Sequence, residues 1–176
     1  IFSYAVLEHI SDPLPFLRGI REQLRPDGVA IFSVPDCSEE IEAGDPSILF
    51  HEHYSYFEPG SLTRLLQAAG MHAVVVRSGY GRCLYAAASL TSSCGLEAAQ
   101  AVSQAAVATY LPRCHHFIEK VQGAIAKMAA TGCVGIYCAA RGLAVMNPDA
   151  EMRFFDDDSA LHGRYLPPFA SPIEPR

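Results

Sequence analysis

Residues 1–35 read IFSYAVLEHISDPLPFLRGIREQLRPDGVAIFSVP, and the order of patterns in them decides the fold. "IFSYAV" is a short apolar run that predicts a strand. In "LEHISDPLPFLRGIREQL", Phe16, Leu17, Ile20 and Leu24 recur at helical spacing, and Asp12 ahead of Pro13 marks a helix start. "RPDG" is a turn, with Gly28 closing the helical stretch. "VAIFSVP" then reads as a buried strand stopped by Pro35. Strand, helix and strand in that order predict a crossover unit of an α/β sheet.

Outward from this unit, residues 36–60 form a long connection, acidic at first, that contains "ILFHEHYSYF". Connections this long in a compact domain usually carry function. "SLTRLLQAAG" predicts a short helix closed by Gly70, with Ser61 or the Pro59–Gly60 approach as its start. "MHAVVVRS" and "RCLYAAASL" predict two strands around "GYG", a hairpin-like edge of the sheet. From Leu96 to Ala130 the pattern is helical, with Pro112 as the expected break. Phe117, Val121, Ile125 and Met128 make a stripe that predicts a core face. Past "ATG", "CVGIYCA" and "EMRFFDDD" predict strands around a short helix in "ARGLAVMN". "HGRYLPP" and "SPIEP" are turns around short extended pieces, so a second α/β unit begins near residue 131.

The composition is globular. Half of the 176 residues are hydrophobic and 18% are charged, which argues against disorder. The net charge of -6 argues against a general nucleic-acid groove. No apolar run reaches the ~18 residues of a membrane span. The six cysteines, at 37, 83, 94, 114, 133 and 138, form no CxxC pair and no zinc spacing. They read as reduced thiols, and a cytoplasmic location is the expectation. The chain opens on Ile1 with no basic leader, and the expectation is a piece of a longer protein.

Three stretches carry chemistry. His9 directly follows the first strand, at the carboxyl end where open α/β sheets place ligands. "HEHYSYF" lacks the HExxH spacing of a zinc protease. Its His51 and His53, two apart, share a face only if extended, and no third ligand is evident, so no metal is expected. Glu52 and His53 are suited to orienting each other and moving a proton near neutral pH; a polar loop anchored by its tyrosines is the other reading. If the first two strands are parallel neighbours, His9, Glu52 and His53 meet at one sheet edge. In "CVGIYCAARG", small residues at a strand-to-helix junction suit phosphate approach. Asp156, Asp157 and Asp158 end the next strand, where a ribose-binding acid sits in such folds. The full GxGxxG is missing.

"VLEHI" and the "LRPDG" turn resemble the second half of a class I S-adenosylmethionine-dependent methyltransferase domain. "HEHYSYFEPGSLTRLLQAAGM", followed by "GIYCAARGLAVMN" and "FFDDDSALHGRYLPPFASPIEP", resembles the sugar C-methyltransferase family, which methylates a ring carbon of a nucleotide-linked keto-sugar. The resemblance implies a Rossmann-like methyltransferase sheet over residues 1–93, without its N-terminal strands. A helical connection over 94–130 and the start of a second small Rossmann-like α/β unit over 131–176 would follow.

The same resemblance implies catalytic roles for His9, Glu52 and His53, with His53 as the base or its immediate partner. It implies S-adenosyl-L-methionine as cofactor, with Ala5 and Val6 among its contacts. The glycine-rich cofactor loop and the family's zinc-binding region are expected upstream of Ile1. The implied partner is a small molecule, a nucleotide-sugar, with neither nucleic acid nor membrane. Phe50 stands where the family carries a tyrosine, and "GYGRCLY" and "GIYCAARG" depart from its glycine patterns. A nucleotide-sugar or dinucleotide-binding module without methyl transfer, or a methyltransferase-like structural subunit, are the alternatives.

Overall fold

The computed structural model describes residues 1–49, 52–78, 81–91, 98–137 and 152–176. It divides into two units: Ile1–Glu42 with Leu49–Thr109, and Ala43–Ile48 with Tyr110–Arg176.

In the first unit, β1 (Phe2–Tyr4), α1 (Pro13–Gln23) and β2 (Val29–Pro35) form the expected crossover. β1 and β2 pair in parallel, with Phe2 opposite Ile31 and Tyr4 opposite Ser33. Pro13 opens α1, where its missing N–H has no helical partner to lose. Asp12 occupies the cap position but makes no side-chain cap bond. After β2 come α2 (Ser38–Ala43), α3 (Pro59–Ala68), β3 (His72–Arg77) and β4 (Cys83–Ser89); the 3-10 turn at Pro46–Ile48, between α2 and α3 in the chain, belongs to the second unit. The sheet order is β1-β2-β4-β3, with β4 antiparallel to both neighbours. The predicted hairpin is therefore present, with β3 on the outside.

α3 starts at Pro59, the second of the two starts the sequence offers, and Ser61 is not its cap. Glu58 takes that position, and its buried carboxylate accepts from the backbone N–H groups of Gly60 at 2.8 Å and Ser61 at 2.5 Å. The Glu58 N–H donates in return to Ser61 Oγ at 3.0 Å. Gly70 ends the helix at φ 81, a left-handed conformation that glycine adopts without strain.

Period-two alternation splits β2 into two faces. Ala30, Phe32 and Val34 join Leu17 of α1 and Leu62 and Leu66 of α3 in one core. Val29 and Ile31 point the other way and stay 47% and 40% exposed. The strand predicted as buried is thus buried on one face.

The predicted long helix is also revised. Residues 98–103 are not helical; the Ala99 N–H donates to the Val75 carbonyl at 2.7 Å, which lays this segment along β3. Helix α4 (Gln104–Ala108) is capped by Ser103 Oγ, which accepts from the Ala106 N–H. The break falls at Thr109, and Pro112 sits in the first turn of α5 (Tyr110–Ala129), where helix N–H groups have no intrahelical acceptor.

The second unit holds α5 and a parallel sheet of β5 (Val134–Tyr137), β6 (Met152–Phe155) and β7 (Ile173–Glu174). Its core gathers Ile125, Met152, Phe154, Phe169 and Ile173, with Val121 packed against it. Met128, predicted on the buried stripe, lies in the last turn of α5 and is exposed. The helix predicted in "ARGLAVMN" lies outside the described residues. Among the described residues no helix is long and apolar enough to cross a membrane.

Candidate active site

The parallel pairing of β1 and β2 sends the segments after both strands to one edge of the sheet. After β1, Ala5 takes φ 49, and its N–H donates to the Ser33 carbonyl at 2.9 Å. Its neighbour Val6 is exposed. A 3-10 turn at Leu7–His9 follows. Leu7 drops into the core, Glu8 is buried at 2% exposure, and His9 faces outward.

The segment after β2 returns to this turn. Tyr54 and Ser55 donate their backbone N–H groups to the Glu8 carbonyl at 2.8 and 3.3 Å. His9 Nδ1 lies 3.0 Å from the Glu52 carbonyl oxygen. Because a carbonyl only accepts, Nδ1 is the ring's N–H in this contact. Farther along, the Cys37 N–H donates to the Phe57 carbonyl at 2.9 Å, closing the segment back onto the end of β2.

These ties bring the two histidines together. Their ring centroids are 4.8 Å apart with an interplanar angle of 79°, an edge-to-face contact. Tyr56 stands 6.1 Å from the His53 ring centre at 53°. Glu52 reaches His9 through its backbone, while its side chain is exposed. Phe50 and His51 lie outside the described residues.

Two neighbours of the site were not singled out by the sequence reading. Glu8 Oε1 is 4.0 Å from His9 Nε2. The buried Glu8 Oε2 has no hydrogen-bond partner among the described residues. Burial of a glutamate is rare without a partner, but in "VLEHI" nothing distinguishes Glu8 from a surface residue. Tyr56 belonged to the quoted motif, and only the ring geometry selects it.

At the same end of β2, Arg77 Nε donates to Asp36 Oδ2 at 2.9 Å, and Arg82 pairs with Glu39 at 3.0 Å and with Glu40. These charges are largely matched to one another. Burial first, and the nearby Glu40 next, push the Cys37 thiol up to about 12, which leaves it protonated and unreactive near neutral pH.

In the second unit, Asp156–Asp158 follow β6 as predicted, but much of the cluster is engaged locally. Tyr137 Oη donates to Asp157 Oδ2 at 2.5 Å, and Asp156 Oδ1 accepts from the Asp158 N–H. The Tyr137 hydroxyl is held above its ordinary range, chiefly by that bond to Asp157. The small-residue junction after Tyr137 lies outside the described residues.

Comparison with known proteins bears on the first unit. Residues 1–75 match the family described as Methyltransferase domain. A stretch of 78 residues is 33% identical to the C-methyltransferase NovU of Streptomyces niveus, covering 44% of this chain and 19% of NovU. The matched residues hold the parallel strand–helix–strand unit and the loop site, so this part of the chain is similar to a methyltransferase domain.

Proposed function

We propose that this chain is part of an S-adenosylmethionine-dependent C-methyltransferase whose acceptor is a nucleotide-linked keto-sugar. In this reaction a base removes the proton from the carbon beside the sugar ketone. The resulting enolate carbon attacks the methyl group on sulfur, a C–C bond forms, the S–C bond breaks, and S-adenosylhomocysteine leaves. His53 is the base, Glu52 orients it, and His9 stabilises the enolate oxygen or relays the proton. Ala5 and Val6, at the carboxyl end of β1, contact the cofactor.

The observation that carries this reading is the edge-to-face contact of His9 and His53 across the loops that follow two parallel strands. The likeness to a C-methyltransferase supports the choice of carbon as the methylated atom. The sheet supports a second element of the reading, that β1 has further strands and covering helices around it in the complete domain. Phe2 and Tyr4 are 63% and 59% exposed on the same face as Val29 and Ile31, whereas doubly wound sheets are covered on both faces. We assign the β5-β6-β7 sheet, in the same spirit, to a second Rossmann-like unit.

The test is solvent deuterium exchange at the carbon beside the ketone of a nucleotide keto-sugar, followed by NMR in the intact protein. Exchange is expected without any methyl donor, and His53→Ala is expected to slow it by about 10²–10⁴-fold. No exchange in the unmodified protein, or exchange that His53→Ala leaves untouched, refutes the assignment of His53 as base.

A further inference from the structure

We propose that Glu8, His9 and His53 form a binding site for one divalent transition-metal ion of the zinc type. One donor atom from each residue lies within 4.8 Å of the other two. Around a tetrahedral zinc ion with ligands at about 2.0–2.2 Å the donors lie about 3.3–3.6 Å apart. The trio therefore closes by up to about 1.5 Å on binding, a shift within reach of side-chain rotation.

Two features of the site point to a cation rather than to a chance cluster. The first is Glu8. Its side chain is withdrawn from water at 2% exposure, yet Oε2 has no hydrogen-bond partner among the described residues. A carboxylate oxygen in that position is costly unless a positive charge meets it. The second is the His9 ring. Its Nδ1–H is committed to the Glu52 carbonyl at 3.0 Å, so in the neutral ring the lone pair sits on Nε2, the nitrogen beside Glu8 Oε1. Metal-binding histidines are commonly fixed in this manner, one nitrogen donating to a carbonyl and the other facing the metal.

The donor set defines the ion. Two imidazoles and one carboxylate suit zinc, cobalt or iron(II), whereas magnesium and calcium prefer oxygen ligands. Three protein ligands leave a coordination position for water or a substrate oxygen.

This inference goes beyond the function proposed above. A His53 lone pair given to a metal is not free to take a proton, so the two uses of the ring exclude each other. Metal binding would then hold the proton-transfer machinery in an inactive form.

The test is titration of the chain with Zn²⁺ by calorimetry and with Co²⁺ by visible absorption, without cofactor or sugar, so that its outcome does not depend on methyl transfer. The expected result is saturation at about one equivalent, with the Co²⁺ absorption of a low-coordinate nitrogen/oxygen site. Glu8→Gln, which preserves side-chain volume, and His9→Ala are each expected to weaken binding by about tenfold or more. The double variant His115→Ala/His116→Ala, on exposed positions of α5, is expected to leave it unchanged. Circular dichroism confirms that each variant is folded; should His9→Ala fail to fold, Glu8→Gln decides alone. No saturable binding, or binding that persists in Glu8→Gln and is lost in the His115/His116 variant, overturns the proposal.

Discussion

On one face of the β1-β2-β4-β3 sheet, Phe32, Val34, Leu84, Ala86 and Ala88 are shut away from water beneath α1 and α3. On the other face Phe2, Tyr4, Val29, Ile31 and Tyr85 remain exposed. The residues differ little in hydrophobicity; they differ in what covers them. An antiparallel sheet built to face solvent carries polar residues on its outer side. This sheet carries aromatic and β-branched residues there, the composition of a sheet meant to be covered twice. The contrast separates two things that sequence patterns merge: how apolar a strand is, and how much of its apolar surface the fold buries.

The covered face should respond most strongly to mutation. Phe32 is fully buried at the centre of the larger core. Phe32→Ala is expected to lower stability by about 3–5 kcal/mol, from lost transfer energy and the cavity left behind. Urea unfolding followed by circular dichroism measures it. A loss below about 1 kcal/mol would mean that α1 and α3 do not pack on β2 as described.

The next largest effect concerns how the cover is attached. The Glu58 carboxylate binds the first N–H groups of α3 and also accepts from the Val102 N–H at 2.9 Å. It therefore ties the helix start to the segment that runs beside β3. Glu58→Ala removes the cap and leaves a buried N–H without its acceptor. The expected cost is about 2–3 kcal/mol, the sum of a lost cap and an unsatisfied donor. Amide exchange should be accelerated at Gly60, Ser61 and Val102 above other amides. Uniform acceleration across the chain would show that Glu58 acts through global stability instead.

Glu58 also shows where sequence reading stops. The strand–helix–strand order and the meeting of His9 with His53 were legible, because parallel pairing of the two strands puts their carboxyl ends side by side. The capping residue of α3 was not. The familiar capping box places serine or threonine first and glutamate three residues later, and here Glu58 comes first and Ser61 three residues later. The Ala-rich segment before Ser103 read as helix on propensity, but the Ala99 N–H found its acceptor on Val75 of β3, a tertiary contact that no local pattern encodes. Glu8 was invisible for the same reason: its surroundings include Tyr54 and Ser55, which fold back onto its carbonyl from more than forty positions away.

The smallest expected effect on stability belongs to the exposed face, and there it is the contrast with Phe32 that informs. Ile31 is the residue before Phe32 in the same strand, pointing the other way and 40% exposed. Threonine keeps the branched Cβ and the strand preference of isoleucine. Ile31→Thr should therefore change stability by no more than about 0.5 kcal/mol, as at other surface positions. Its consequence should appear instead in association. An exposed apolar face beside an open strand edge is a surface on which copies stick together. Light scattering against concentration should show less self-association in Ile31→Thr than in the unmodified chain. If instead the substitution destabilises the fold as much as a core truncation, Ile31 is covered in solution, and the second face is already closed within this chain.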